Sequence, residues 1–404
     1  MVPTTRRQVL RRGLVCGTVG LAGCVSGPAD GGRATYVSDV DLPRAAAWPT
    51  YQYDTANTGY NPEASGPTGE VELAWRYSAH TEAESGAVVS DGLVYAGSLI
   101  VDGQTGRRNG GNWGGHYSTP TVYEGTLYVG SHDLEARDAT TGSHQWTFET
   151  DGDAGALPAT TVADGTVYVP GNINDPILYA IDAETGAERW RFEAGADIGV
   201  PAAVVEGVVY IVDRRNTVYA IDGATGDERW RTTREAEVFR SAPVATDDRL
   251  YFGAIDEEEY LVLALGTDQG RQVWRQQLDL EISSPVAVAD GTVFATGRDG
   301  AVAALDAASG RPEWTRSLVD GAFTELGVPA VANGVVYVGV AHSSEPAPLF
   351  ALDGTTGKEL WRIETRAVSF GDYTVAGVSQ GPAIVDDLVY VATPGGDLYA
   401  IRGQ

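Results

Sequence analysis

Almost no cysteine is available to this chain. Its only two, Cys16 and Cys24, fall within the first 24 of 404 residues, so the body of the protein can form neither a disulfide nor a thiolate metal site. Zinc fingers, iron–sulfur clusters and cysteine nucleophiles are thereby excluded. Lysine is as scarce: Lys358 is the single one, and 28 basic residues face 55 acidic ones, a formal charge of −27. A chain this acidic is repelled by a polyanion and gains no counterion release from it, which excludes nucleic acid as a general partner. After the first thirty residues no segment approaches the ~18 consecutive apolar residues of a membrane span. Neither a G-x-S-x-G elbow nor an H-E-x-x-H pair occurs, and the five histidines stand apart from one another.

The beginning of the chain has its own chemistry. Thr5-Arg6-Arg7-Gln8-Val9-Leu10 and Arg11-Arg12 precede a mildly apolar stretch from Gly13 to Leu21, which ends in Ala22-Gly23-Cys24. A basic region, a short apolar region and small residues at its end make a secretory signal. The paired arginines resemble a twin-arginine export signal. Leu21-Ala22-Gly23-Cys24 resembles a lipobox, whose cysteine is lipidated after cleavage. Residues 1–23 are therefore expected to be a signal peptide, with the protein exported and held on the outer face of the cytoplasmic membrane through Cys24. Residues 24–47, rich in Gly, Ser, Pro and Asp without periodicity, read as a flexible tether. Strong acidity with almost no lysine resembles proteins of extreme halophiles. Salt shortens the Debye length from ~10 Å at 0.1 M to ~3 Å at 1 M, so the self-repulsion of such a chain is relieved in brine.

An internal repeat dominates the rest. Ala180-Ile181-Asp182-Ala183-Glu184-Thr185-Gly186-Ala187-Glu188-Arg189-Trp190 has the form A-x-D-x-x-T-G-x-x-x-W, and the spacing returns at Ala136 to Trp146, Ala220 to Trp230 and Ala351 to Trp361. Ala304 to Trp314 keeps it with Ser309 for Thr, and Ala264 to Trp274 has Gly266 for Asp and Gln269 for Thr. An incomplete copy, Asp102 to Gly106, has its nearest tryptophan three places late at Trp113. From Trp146 onward the intervals are 44, 40, 44, 40 and 47 residues, the length of one four-stranded propeller blade. Each copy follows a hairpin pattern around an acidic-Gly turn, as at Asp164-Gly165 and Asp290-Gly291.

Eight such hairpins begin near Ala87, Thr119, Ala159, Ala202, Ala242, Pro285, Ala330 and Ala383. The last copy, Tyr399-Ala400-Ile401-Arg402, lacks a closing tryptophan strand, whereas Glu72-Leu73-Ala74-Trp75-Arg76-Tyr77 is such a strand with no hairpin before it. The expected fold is all-β: an eight-bladed propeller of four-stranded antiparallel blades over residues 48–404, its ring closed by the N-terminal strand around Trp75. Closure removes the free sheet edges an open array would expose.

The motif resembles the tryptophan-docking repeat of the quinoprotein-dehydrogenase-like, or PQQ-repeat, propellers, over about residues 70 to 404. That resemblance implies structural roles at the blade seams for Trp75, Trp146, Trp190, Trp230, Trp274, Trp314 and Trp361. Trp48-Pro49, Asp54 and Thr58-Gly59-Tyr60-Asn61-Pro62 resemble the lead-in segment of archaeal lipoproteins carrying these repeats, which sets a lead-in at 48–70 and points to a haloarchaeal source. Enzymes of the family hold pyrroloquinoline quinone (PQQ) between a tryptophan and a disulfide of adjacent cysteines, with calcium and an aspartate base. This chain lacks the cysteine pair and is similar instead to the noncatalytic, BamB-like members, which use the blades as a docking platform. A binding or assembly scaffold without cofactor is expected, with a PQQ- and calcium-dependent alcohol or sugar dehydrogenase as the alternative.

Two sets of residues are candidates for sites. Asp256-Glu257-Glu258-Glu259 supplies the oxygen ligands calcium favours, as Asp151-Gly152-Asp153 does more weakly, although a solvated acidic loop is the simpler account of both. On one end of the expected propeller, the loops between second and third strands and those entering the next innermost strand carry His80, His116, Tyr117, His132, Arg214, Arg215, Phe239, Arg240, Arg298, His342 and Tyr373. Arginine and aromatic side chains are enriched at binding hot spots. On an acidic molecule they mark where an envelope protein, peptide or glycan is expected to approach, with the protein itself a monomer.

Overall fold

The structure is a computed structural model and describes residues 33–36, 47–79, 85–111, 118–152, 157–171, 173–234, 237–239, 241–257, 259–282, 284–319 and 324–404. Among them all regular structure is strand, arranged as eight blades. In chain order blades 1 to 7 occupy residues 88–111, 121–148, 161–193, 203–233, 237–278, 287–317 and 330–365. Blade 8 combines 383–403 with the strand Val71–Ser78. The first strand of a blade lies beside the first strand of the next, from blade 1 to 5 and from 6 through 8 back to 1. These short strands therefore surround the axis, and the tryptophan strands form the outer belt.

Local sequence explains each blade. The acidic-Gly pairs fold as two-residue hairpins in which both residues take left-handed backbone, φ 48° and 69° at Asp164 and Gly165, the turn whose twist matches antiparallel strands. The third strand, as in Thr217–Asp222, is buried along nearly its whole length because blades stack on both of its faces. At the next turn Asp182 Oδ1 accepts hydrogen bonds from the Thr185 amide and hydroxyl at 2.8 and 2.7 Å. The motif alanine then stands opposite the motif tryptophan, Ala180 against Trp190 and Ala220 against Trp230.

Each tryptophan reaches the following blade. Trp190 Nε1 donates to the Gly223 carbonyl at 3.0 Å, Trp230 to Thr267 at 2.8 Å, Trp274 to Ala307 at 3.0 Å and Trp314 to Gly354 at 2.8 Å. Its ring covers the glycine of that blade's Thr-Gly turn. At Gly226, φ 79°, a Cβ would stand 2.8 Å from the Trp190 ring, so the turn requires glycine for its backbone and for the approach. Trp146 covers Gly186 in the same way, but its Nε1 is buried without a hydrogen-bond partner.

The ring closes as the orphan strands foretold. Trp75 pairs opposite Ala400, the register of every other Ala–Trp pair, and donates to the Gly103 carbonyl of blade 1 at 2.9 Å. At the other side of blade 8, Trp361 finds no Thr-Gly turn and donates to the Pro67 carbonyl at 2.7 Å. Blade 1 departs from the pattern: Ile100 and Gly110 hold the places of alanine and tryptophan. Large and small have exchanged sides, and Ile100 fills the seam with Val122 and Leu127. Trp113 lies outside the described residues. Within the stretch expected as a tether, the backbone of Arg33–Tyr36 pairs antiparallel with the outer side of Val71–Ser78.

Candidate functional site

The hub of the propeller is built by the lead-in. Beginning at Trp48, this segment passes from blade to blade along the innermost strands. Trp48 and Val89 exchange two backbone hydrogen bonds of 2.8 Å, and the Pro49 carbonyl accepts from the Val122 amide at 2.8 Å. The chain then turns inward, placing Tyr51 and Gln52 at the axis. Burial pushes the Tyr51 phenol well above its usual range, and Gln52 Nε2 donates to the Val286 carbonyl of blade 6 at 2.9 Å. Beyond that turn Asn57 Nδ2 bridges the Ala202 and Pro243 carbonyls of blades 4 and 5, both at 3.1 Å. Tyr60–Asn61 pairs parallel with Val331–Ala332 of blade 7, and Asn61 Nδ2 donates to Ile384 of blade 8 at 2.8 Å.

Asp54 shapes the turn. Its carboxylate accepts from Thr58 Oγ1 at 2.6 Å, the Thr58 amide at 2.9 Å and the Ala56 amide at 3.1 Å. Desolvation outweighs these hydrogen bonds and raises its pKa above the ordinary 3.8. Where the chain turns inward it leaves a cavity of about 760 Å³ against blades 2, 3 and 4. Val122, Val162 and Val204 line it, with Glu63, Asp164, Glu206 and Asp386 exposed around its opening. Lysine, arginine and histidine are absent from the lining among the described residues.

The face expected from sequence lies at the other ends of the strands. His132, Arg214, Arg215, Arg298, His342 and Tyr373 are exposed there. The Arg214–Asn216 loop and Phe239 come together: Asn216 Oδ1 accepts from the Phe239 amide at 3.2 Å. The Phe239 ring packs on Phe252 with centroids 4.6 Å apart, so it is half-buried rather than a free apolar anchor. Arg298 is paired with Glu325 at 3.5 Å. The bridge between Ser343 and Ala376 joins the His342 loop to the hairpin bearing Tyr373, whose ring stacks on Phe370. Cys24, His80, His116, Tyr117, Arg240, Glu258 and Asp153 lie outside the described residues.

In the acidic loop, Asp256 and Glu259 turn to Arg275, at 2.6 and 3.5 Å, and Asp151 turns to Arg191 at 2.8 Å. Glu257 adopts left-handed backbone at the hairpin tip, φ 54°. No group of three His, Cys, Asp or Glu suited to a metal occurs among the described residues.

A quinone with its calcium would need room beside the axis and a ligand set. Tyr51 and Gln52 leave only about 10 Å³ there, between Gly86, Thr119 and Gln380, room for about one water against the ~300 Å³ or more of a small-molecule pocket. Six of the docking tryptophans spend their indole N–H on a neighbouring blade or the lead-in. The cavity of about 760 Å³ has the room, but its lining holds no Lys, Arg or His to meet an anionic quinone and no metal-binding group of three acids, histidines or cysteines occurs among the described residues, so they do not fit the group.

Sequence reasoning identified the lead-in but not its path, and it missed the cavity altogether. The signal was present in Trp48-Pro49, Asp54 and Thr58-Gly59, yet nothing periodic ties those residues to particular blades. A family model described as "Outer membrane protein assembly factor BamB" matches residues 174–261 and 258–404, together more than half of the chain. Among curated proteins, the quinohemoprotein alcohol dehydrogenase ADH-IIG of Pseudomonas putida is 33% identical over 163 residues, covering 37% of this chain and 21% of that protein. The outer membrane protein assembly factor BamB of Xanthomonas campestris pv. campestris is 28% identical over 206 residues, covering 40% and 48%. The matches thus span about a fifth and about half of those relatives. Among solved structures, BamB from Moraxella catarrhalis superimposes with a TM-score of 0.60 at 16% identity, covering 92% of this chain and 98% of that one. The quinohemoprotein alcohol dehydrogenase of Comamonas testosteroni gives 0.67 at 16% identity, covering 90% and 82%. Both likenesses concern the fold.

Proposed function

Because the chain belongs to the family of the outer membrane protein assembly factor BamB, we propose that it acts as a noncatalytic docking scaffold for envelope proteins. The supporting observation is the filled hub. The lead-in occupies the axis with Tyr51 and Gln52, the belt tryptophans are engaged in blade docking, and the one large space beside the lead-in is lined by valines and carboxylates with no basic residue among the described residues, which suits docking better than quinone chemistry. In this reading the protein is exported, anchored through lipidated Cys24, and meets partners through the face of Arg214 and Arg215 without a cofactor. An arginine there is the side chain that lets an anionic surface approach an acidic molecule.

Crosslinking capture from envelope extracts tests the proposal. Losing an arginine anchor costs ~2 kcal/mol, about thirtyfold in affinity, so Arg215→Ala with Arg240→Ala is expected to lose capture that Lys358→Ala, at a turn on the opposite face, retains. Dye-linked oxidation of alcohols or sugars after adding PQQ and calcium, with stoichiometric quinone bound, would overturn it in favour of an oxidoreductase.

A further inference from the structure

Blade 3 interrupts the lead-in's contacts. In the other blades up to the seventh, the middle amide of the innermost strand donates to a lead-in carbonyl: Val89, Val122, Val204, Ala245, Val288 and Val331, at 2.6 to 2.9 Å. Val162 holds the same position in blade 3. It stands opposite Val167 as Val122 stands opposite Leu127 and Val204 opposite Val209, and that register turns its amide to the hub. No lead-in carbonyl meets it among the described residues. The chain has turned to the axis between the Pro49 carbonyl, used by blade 2, and the Thr55 carbonyl, used by blade 4. The cavity of about 760 Å³ stands in this gap with Val162 in its wall.

We propose that the cavity is a cradle for an extended peptide segment carrying a basic side chain. One carbonyl of the segment takes the Val162 amide, as lead-in carbonyls take its six counterparts. The arginine or lysine meets Asp164, Glu206 and Asp386 at the opening. The protein itself supplies the template, since a lead-in carbonyl already takes the innermost-strand amide on both sides of the gap, Pro49 at Val122 and Thr55 at Val204. Strand addition to an exposed edge is an established mode of peptide recognition, and the volume lies within the ~300–1,000 Å³ of ligand pockets. The valines accept apolar flanking side chains. The carboxylates, with no basic lining residue beside them, select a cation. The site lies on the face of the acidic-Gly turns, opposite Arg214 and Arg215, and does not depend on the docking role assigned to those residues.

The test is a titration of the ¹⁵N-labelled chain with the capped hexapeptide Val-Thr-Arg-Val-Thr-Gly. The Val162 amide resonance is expected to move saturably. Asp164→Asn with Asp386→Asn should weaken the peptide about five- to tenfold. Both positions are left-handed, φ 48° and 56°, and asparagine tolerates that backbone. Val162→Pro removes the amide while leaving the ladder bonds on the other side of the strand, and should abolish binding with the circular dichroism spectrum unchanged. If that variant does not fold, the asparagine pair still decides. An unmoved Val162 resonance at saturating peptide overturns the proposal, as does equal binding of the peptide with Glu for Arg. Acetyl-arginine amide shifting Val162 as strongly as the hexapeptide would replace the peptide by a small cation and overturn it too. Arg215→Ala with Arg240→Ala is expected to leave this titration unchanged, which separates the two faces.

Discussion

Around the belt, each blade is fastened to the next by a side chain; at the hub, the same blades are fastened by the backbone of one segment. The belt repeats one contact, an indole N–H on a carbonyl with its ring over a glycine, and repeats the residues that make it. The hub repeats one contact too, an innermost-strand amide on a lead-in carbonyl in six blades, but what is added to it differs at almost every blade. Trp48 exchanges two backbone bonds, Asn57 bridges two carbonyls through its side chain, Tyr60 pairs parallel and blade 3 is passed over. Novelty enters a repeat protein where contacts are not tied to a copied partner. A belt contact changes only with compensation across the seam, as where Ile100 fills the space beside Gly110, whereas the hub varies its added contacts one blade at a time.

The belt is not uniform either, and the largest expected effect exploits that. Trp75 is fully buried and closes the ring. Trp75→Ala is expected to cost about 3–5 kcal/mol, read as a lowered midpoint in urea. Trp146→Ala should cost clearly less, since that ring is partly exposed and its Nε1 donates to nothing. Equal losses would mean that the belt is a set of interchangeable contacts after all.

Next in size is the hub. Asn57 is 1% exposed and its amide is the shared donor to the Ala202 and Pro243 carbonyls. Asn57→Ala strips both, and about 2–3 kcal/mol should be lost for the buried groups left unpaired. A midpoint unchanged from the parent would show that the Asn57 bridge adds nothing to the backbone contacts of the lead-in.

The smallest effect is in pH dependence, where belt and hub have opposite signs. Hydrogen bonds from the Thr185 hydroxyl, Arg189 and the Thr185 amide hold the Asp182 carboxyl below 3.8, and Arg229 with the Thr225 amide does the same for Asp222. Such groups contribute stability that is complete above 3.8 and is lost as pH falls through their lowered folded values. Asp54, raised by desolvation, binds its proton more tightly in the folded state. Its contribution therefore worsens as pH rises from 3.8 through the raised value. Asp54→Asn should gain stability over the parent at pH 7 and lose that gain near pH 4, while Asp222→Asn is penalised at pH 7 and not below its folded value. Urea midpoints at several pH values check both, and parallel profiles would remove the distinction.

What the sequence made legible follows the same division. The blade motif could be read because its parts lie within a dozen residues and return at a fixed interval. The closing strand could be read because two half-blades lacked each other, and the Ala400–Trp75 register bears this out. The exchange of Ile100 and Gly110 in blade 1 could not, because a pair that trades large for small breaks the pattern used to find it. The cavity was out of reach for a stronger reason. It arises where the lead-in turns away from blade 3, an event set by Gln52 reaching blade 6, 234 residues along the chain. Asp164 reads as a turn former, which it is, and only the path of the lead-in brings its carboxylate and that of Asp386 to one opening.

The seam in blade 8 also has a bearing on biosynthesis. Glu72 is joined to Arg402 across 330 residues, and the strand Asp397–Gly403 that receives Val71–Ser78 is made after every other blade. Bringing partners so far apart together costs about 5 kcal/mol in chain entropy, recovered only once the final strand is available. Until then the Trp75 strand waits as a bare edge through the synthesis of seven blades. Loss of Asp397–Gly403 alone would strand that edge and the inner hairpin of blade 8 together. A nascent chain of this design has an unclosed ring until Asp397–Gly403 emerges, and a factor that guards the early edge has that whole interval in which to act.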